Sequence, residues 1–352
     1  MTTPSTAILC IVRNEIPYLS EWLEHHIGLG FDCIYIISTD QQFSDMTSWV
    51  SSSQFSSNIE LYHFDNLDEG WQFRCYQQHF KYIKEDWVMV LDADEFLYLN
   101  TYKSIHGFLS QFDDEVGQIQ FPWLNLTTSD YSHNNTFDIL NQPNGYASDH
   151  VKSIVRRKHV QNMFIHSHAV GNKKNLLSSG SEAEPKNKHN IFVHEPSYYQ
   201  HHPCILHFTS RGYFDVMVRI IDHKFFNAKS GNPERLRLSR LLLEDANLEN
   251  LPNRFLLSKI HQSLPPVKLN FRLPQLQSST NKHSLYELFL FNIQRIIDFD
   301  CSDPFEFEQE FENKFQLKSK IESVTVPKCN IDEYLNCQSQ IQYASKLRKQ
   351  QN

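Results

Sequence analysis

Three carboxylates stand within four positions at Asp92-Ala93-Asp94-Glu95, directly after the apolar run Trp87-Val88-Met89-Val90-Leu91. Acids packed this closely repel one another, so the ionised cluster is costly unless positive charge sits beside it. A divalent cation is the usual answer, and all-oxygen donors suit Mg2+ or Mn2+. In an extended segment Asp92 and Asp94 project to one side and can reach one ion or one ion-bound ligand. The competing reading is a solvated acidic turn after a core strand, which is what a bare Asp-x-Asp usually is. The apolar run before the acids and Glu95-Phe96-Leu97 after them favour the metal site.

The apolar run reads as a buried parallel strand with the acids at its carboxyl end, where open α/β sheets bind ligands. Earlier elements supply the rest of such a sheet. Ala7-Ile8-Leu9-Cys10-Ile11-Val12 is a strand ending in Arg13-Asn14-Glu15. Pro17 suits the first turn of a helix, and Leu19, Trp22, Leu23 and Ile27 follow at helical spacing until Gly28 and Gly30 stop it. A second strand, Cys33 to Ile37, leads into Asp40 and then Ser44-Asp45, and Ile59 to Phe64 is a third. Phe73, Tyr76, Phe80 and Ile83 mark another helix. Strands alternating with helices give right-handed βαβ units and a mostly parallel, Rossmann-like α/β sheet flanked by helices. No Gly-x-Gly-x-x-Gly follows the first strand and no Walker lysine loop is present. A phosphate ligand would therefore need a metal rather than a glycine-rich turn.

Gly117 to Trp123 reads as a further strand, and residues 127–144 as a polar loop that could cover a site. Val151 to Arg156 alternates and runs into Arg157 and Lys158. It is either a grip for a diphosphate or an ordinary solvated edge strand. Met163 to His168 reads as a short strand with His166 and His168 on one face, and residues 171–190 as a mobile loop. Cys204 to Phe208 is an apolar strand with His207 inside it, by default a core histidine. Trp22, Trp71, Trp87 and His26 fall on packed faces. Trp123, beside the polar loop, is the better platform for a sugar ring. From Tyr213 onward the pattern is helical, with segments near 234–248 and 284–297 broken by prolines.

Composition bounds the classes. The 352 residues are 40% hydrophobic and 21% charged, which is globular. A net charge of -8 argues against a general nucleic-acid binder. No run of about 18 uncharged apolar residues appears, so no membrane-spanning helix is expected, and no signal peptide is read at the start. The seven cysteines are scattered without a Cys-x-x-Cys pair. That fits reduced thiols in a cytoplasmic protein and disfavours structural zinc.

Taken in order, these residues resemble a known family. Ile11-Val12-Arg13-Asn14-Glu15, the helix Tyr18 to His26, Asp40 to Asp45, Trp71-Gln72, Tyr76 and Asp86-Trp87 lead into Leu91-Asp92-Ala93-Asp94-Glu95-Phe96-Leu97. Pro122-Trp123, Lys152 to Arg156 and Leu206 to Ser210 continue the series. The set resembles glycosyltransferases of the GT-A fold, in the family-2-like group close to family 92, over roughly residues 5 to 225. The resemblance implies a sugar-nucleotide donor, UDP-linked by preference, with Mn2+ or Mg2+. It implies that Arg13, Asn14, Glu15, Asp40 and Asp45 line the base and ribose pocket. Asp92 would contact ribose or metal, Asp94 would hold the metal on the diphosphate, and His207 would complete the metal shell. Lys152 and Arg156 would help neutralise the diphosphate. The family usually carries Asn beside Asp after the second strand, where this chain reads Asp40-Gln41-Gln42-Phe43-Ser44-Asp45. Residues 1–230 would form the catalytic domain, with a donor half of about 1–100 and an acceptor half of about 101–230. Residues 231–352 would be a mainly helical extension.

The implied reaction is inverting transfer of a hexose to a glycan or glycolipid acceptor, with surface-polysaccharide assembly as its setting. It needs a base for the acceptor hydroxyl and charge stabilisation for the leaving diphosphate. Asp130, Asp149 and Glu195 are the candidate bases, and position alone does not choose among them. Cytoplasmic placement is expected, with peripheral contact at the inner face of a membrane kept open by Lys346, Arg348 and Lys349. Rival functions are a metal-dependent sugar-nucleotide or phosphate hydrolase and a non-catalytic nucleotide-sugar-binding protein.

Overall fold

The computed structural model describes residues 3–40, 43–67, 70–127, 144–184 and 194–208, and the backbone of 267–268. Apart from Thr127, they belong to one compact unit made of Met1–Leu126, Pro143–Thr209 and Ile260–Ser279. The expected extension over 231–352, except for the two-residue strand noted below, and residues 128–143 of the loop expected over 127–144 lie outside the described residues, while Thr127 and Asn144 end and begin strands.

The first four strands are β1 (Thr6–Val12), β2 (Cys33–Ser38), β3 (Ile59–His63) and β4 (Trp87–Val90). They lie in the order β3-β2-β1-β4, and all neighbours are parallel. Helices α1 (Ile16–Gly28), α2 (Phe43–Ser52) and α3 (Trp71–Phe80) make the crossovers. Pro17 sits in the first turn of α1, where its missing N–H costs nothing. Gly30 beyond the helix has φ of 92°, a backbone conformation glycine adopts without strain. Leu19, Trp22 and Leu23 are fully buried by α1, as their spacing predicts. This half is Rossmann-like.

The second half is mixed. After a single turn, β5 (Glu95–Tyr98) and α4 (Ile105–Leu109) are followed by β6 (Val116–Thr127), β7 (Asn144–Arg156), β8 (Lys174–Leu177), α5 (Pro196–His201) and β9 (Cys204–His207). The sheet continues from β4 as β7-β6-β9-β5. β7 runs antiparallel to β4, β9 parallel to β6, and β5 antiparallel to β9. β9 thus inserts between β6 and β5, although both precede it in the chain. A tenth strand, β10 (Val267–Lys268), pairs antiparallel with β7. The sheet is α/β, with the parallel Rossmann-like half expected from the sequence, and the antiparallel pairings of the second half add to that expectation.

Three local expectations change. The segment Val151–Arg156 is not a solvated edge, because β7 lies between β4 and β6 and buries Lys152, Ser153, Ile154 and Val155. Met163 to His168 is not a strand. Only the flanking pair Asn162 and Ala169 bridges, and the turn between is held by the Phe164 amide donating to His168 Nδ1 at 3.1 Å. Within 171–190, Lys174–Leu177 forms β8 against β6, which buries Leu176 and Leu177.

Helix α1 is fastened to the acidic segment. The Trp22 indole N–H donates to the Glu95 carbonyl at 2.8 Å, and His25 Nε2 lies 2.8 Å from the Leu97 carbonyl. His26 stacks on Phe96 at 5.8 Å. Burial lowers the His25 pKa to about 4 and pushes His26 down as well, so both rings pack as neutral groups. Replacing the indole in Trp22→Phe is expected to lower stability by about 1–3 kcal/mol through the lost buried bond. Urea unfolding of the variant beside wild type measures it.

Candidate functional site

The acids at the end of β4 do not share one side of an extended segment. The Glu95 amide donates to the Asp92 carbonyl at 3.1 Å, so Asp92-Ala93-Asp94 turns back on itself before β5 begins. That turn sends the two aspartates to different partners.

Asp92 faces Lys152. The Lys152 ammonium donates to Asp92 Oδ2 at 2.9 Å and lies 3.3 Å from Glu95 Oε2. Lys152 and Glu95 have 0% side-chain exposure, whereas Asp92 is 37% exposed. The Asp92 amide closes the group by donating to Glu95 Oε2 at 2.9 Å. Burial by itself would lower the Lys152 pKa, but the charges of Asp92 and Glu95 outweigh it and raise it. Burial pushes the Glu95 carboxyl up, against the pull of Lys152, while Asp92 and Asp94 push it further. One ammonium thus faces two carboxylates, and the upward shift of Glu95 relieves the excess negative charge.

Asp94 faces His207. Its backbone carbonyl accepts from the Phe208 amide at 2.8 Å, and Glu95 pairs with His207 across β5 and β9. His207 Nε2 lies 3.7 Å from Asp94 Oδ2, with both side chains 10% exposed or less. On its other side, His207 Nδ1 lies 2.9 Å from Asn125 Oδ1. An Nδ1–H donated to Asn125 leaves the Nε2 lone pair directed toward Asp94. That is the arrangement a metal-ligating histidine uses.

Among the described residues no group of three His, Cys, Asp or Glu side chains converges as a metal cage. The donors present still fit Mg2+ or Mn2+. Such ions are commonly held by one or two protein groups, with substrate phosphates and water completing the shell. Asp94 and His207 supply two, and Asp92 is committed to Lys152.

β1 and β2 run parallel to β4, so the residues that follow them leave the sheet at the same edge as Asp92. The backbone of Asn14 has φ of 56°, and its amide donates to Asp40 Oδ1 at 2.8 Å. Ser38 donates to Asp40 Oδ2 at 3.1 Å, and His63 Nε2 lies 3.0 Å from the Asp40 carbonyl. Asp40 is buried and shapes the turn that presents Arg13, Asn14 and Glu15, all half-buried. Burial pushes the Cys10 thiol up, and the charges of Asp92 and Glu15 add to it. Asp45 stands half-buried in the first turn of α2.

Trp123 is the hub on the other side. It is buried, with its ring 4.0 Å from His207, 5.1 Å from a stacked His150 and 5.5 Å from His166. The Lys152 ammonium lies 6.0 Å from the same ring. Asp149 Oδ1 lies 3.0 Å from His150 Nδ1.

Two other expected residues are placed elsewhere. Arg156 pairs with Trp87 at the start of β4, the end opposite Asp92. Its guanidinium stacks on the Trp87 ring at 4.4 Å and bonds the Val116, Phe112 and Asp113 carbonyls. Glu195 is the exposed residue preceding α5. Asp130 lies outside the described residues. Asn125 and His150 are site residues the sequence did not single out, and Glu95 was counted in the acidic cluster without its role as partner of Lys152. Glu95 adjoins the Asp-x-Asp, and His150 is two residues before Lys152 on the same strand, a spacing that could have flagged it.

No family model and no curated protein matches the chain. Among solved structures, residues 1–349 of TarS from S. aureus are 14% identical over 35% of this chain and 36% of that one, with a TM-score of 0.25. The chain thus spans about a third of that structure's length. The mannosyltransferase PcManGT from Pyrobaculum calidifontis, in complex with GDP-Man and Mn2+, is 10% identical over 73% of this chain and 75% of that one, at 0.34. HddC from Yersinia pseudotuberculosis is 13% identical over 44% and 77%, at 0.30. Scores this low leave reaction and substrate to the site itself.

The Lys152 cluster makes a clear prediction. Lys152→Met leaves two carboxylates without their cation and should cost about 3–5 kcal/mol near pH 8. Lys152 is the charge that holds Glu95 down against burial, so without it the variant's native state protonates Glu95 at higher pH than wild type and gains more stability as pH falls. The deficit should therefore shrink toward pH 5.5. Urea unfolding across that range measures it, and a deficit independent of pH would contradict the ion-pair account.

Proposed function

We propose that this chain is a metal-dependent glycosyltransferase that moves a hexose from a nucleotide sugar, UDP-linked by preference, to a glycan or glycolipid acceptor with inversion. One observation carries the reading. Asp94 and His207 face each other at 3.7 Å at the carboxyl end of β4, and the second nitrogen of His207 is occupied by Asn125. Two protein donors, at the same edge of the sheet as the half-buried turn Arg13, Asn14 and Glu15, would suit a divalent ion held together with a nucleoside diphosphate.

The roles in this reading are as follows. Arg13, Asn14 and Glu15, on the turn shaped by Asp40, contact base and ribose, with Asp45 alongside. Asp94 and His207 hold Mn2+ or Mg2+, which when bound supplies positive charge to the leaving diphosphate. Asp92, half-exposed and pinned by Lys152, accepts hydrogen bonds from ribose or sugar hydroxyls rather than serving as a second metal carboxylate. Lys152 acts through Asp92, as a fixed counter-charge, instead of gripping the diphosphate. No helix among the described residues is long and apolar enough to cross a membrane.

Isothermal titration calorimetry with UDP, GDP and CMP, each with and without Mn2+, tests the donor site. One nucleotide should bind only with Mn2+, and Asp94→Asn should abolish that Mn2+-dependent binding. Asn125→Ala should weaken Mn2+ affinity by about 10–100-fold, because it releases the orientation of His207. Equal binding with and without the metal, or none with any nucleotide, would refute the assignment.

A further inference from the structure

Asp149, one of the carboxylates that could serve as base, has a partner that changes its role. Its Oδ1 lies 3.0 Å from Nδ1 of His150, whose side chain is 42% exposed while that of Asp149 is 12% exposed. The Ser148 hydroxyl, 3.4 Å away, lies against the same ring nitrogen. A carboxylate accepting at Nδ1 fixes the tautomer with its proton there and the lone pair on Nε2. It also stabilises the ring once it takes up a second proton. The ring is held in place by stacking on Trp123 at 5.1 Å, with His166 edge-on at 5.4 Å. Trp123 in turn packs on His207, the partner of Asp94. The imidazole and the Asp94–His207 pair therefore flank a single indole.

We propose that His150, oriented by Asp149, is the catalytic base that takes the proton from the acceptor hydroxyl. This rests on the glycosyltransferase reading above. In the step, the hydroxyl oxygen bonds to the anomeric carbon and its proton passes to His150 Nε2. The bond from that carbon to the diphosphate oxygen breaks, and its electron pair leaves with the nucleoside diphosphate. Asp149 is then a positioning residue.

The test uses the full chain with Mn2+. UDP release is followed from UDP-glucose, UDP-galactose and UDP-N-acetylglucosamine, with water and p-nitrophenyl hexosides as acceptors. UDP binding is measured by calorimetry on the same samples. His150→Ala should lower kcat by about 10²–10⁴-fold with UDP affinity unchanged. Added imidazole should restore part of the rate. His150→Gln, closer in size, should show the same loss with an unaltered melting temperature and no smaller KM. Asp149→Asn should lower kcat while leaving KM and the imidazole rescue of His150→Ala in place. A His150→Ala rate within tenfold of wild type, or a loss that imidazole does not restore, would overturn the assignment. So would a wild type that binds UDP yet releases none from these donors, since water can fill the acceptor place. A wild type that binds no nucleoside diphosphate would instead overturn the donor site on which the base depends.

Discussion

A single buried ammonium organises the acidic end of the sheet. Taking Lys152 out of water costs several kcal/mol, and the same holds for Glu95. Neither would be tolerated alone. Together, with Asp92 at 2.9 Å and Glu95 at 3.3 Å, they form a group whose partners come from three strands' worth of chain, β4, β5 and β7. The strand order dictates this, because β7 folds back against β4 and delivers Lys152 beside the turn. With Asp92 occupied, Asp94 is the carboxylate left to face His207. The division of labour between the two aspartates therefore follows from one lysine.

The parallel half of the fold was legible in the sequence because its signals are local. Ala7 to Val12, Cys33 to Ile37, Ile59 to Phe64 and Trp87 to Leu91 are short apolar runs, and the helices between them have clean 3.6-residue spacing. Those runs became β1 to β4 with little change in boundary. The antiparallel half was less legible. The Lys152 segment alternates as an exposed edge would, yet it is interior, since its charged residue is neutralised inside rather than solvated. The β8 segment is masked in sequence by its polar neighbours, and its two leucines are buried only through pairing with β6.

The site was half legible for the same reason. Clustered acids at a strand end mark a site by local chemistry alone. Which acid meets which partner depends on pairings between residues far apart in the chain. His207 reaches Asp94 only because β9 inserts between β6 and β5, and Asn125 reaches His207 through the β6–β9 register. Arg156 looked equivalent to Lys152 in sequence. Four residues along β7 carry it to the opposite end of β4, where it stacks on Trp87. His150 sat unnoticed because a histidine in an alternating run carries no signal until its neighbours across the sheet are known.

In the proposed donor site, Asp94 and His207 together hold a metal ion that also binds the diphosphate of a nucleotide. The most direct measurement is electron paramagnetic resonance of Mn2+ in the presence of the full chain and UDP. The account predicts that the free-ion signal is lost only when both protein and nucleotide are present. It further predicts hyperfine coupling to a histidine nitrogen and to phosphorus, with the nitrogen coupling absent in His207→Ala. Mn2+ that stays free with every nucleoside diphosphate tried, or that binds with no nitrogen coupling in wild type, would contradict it.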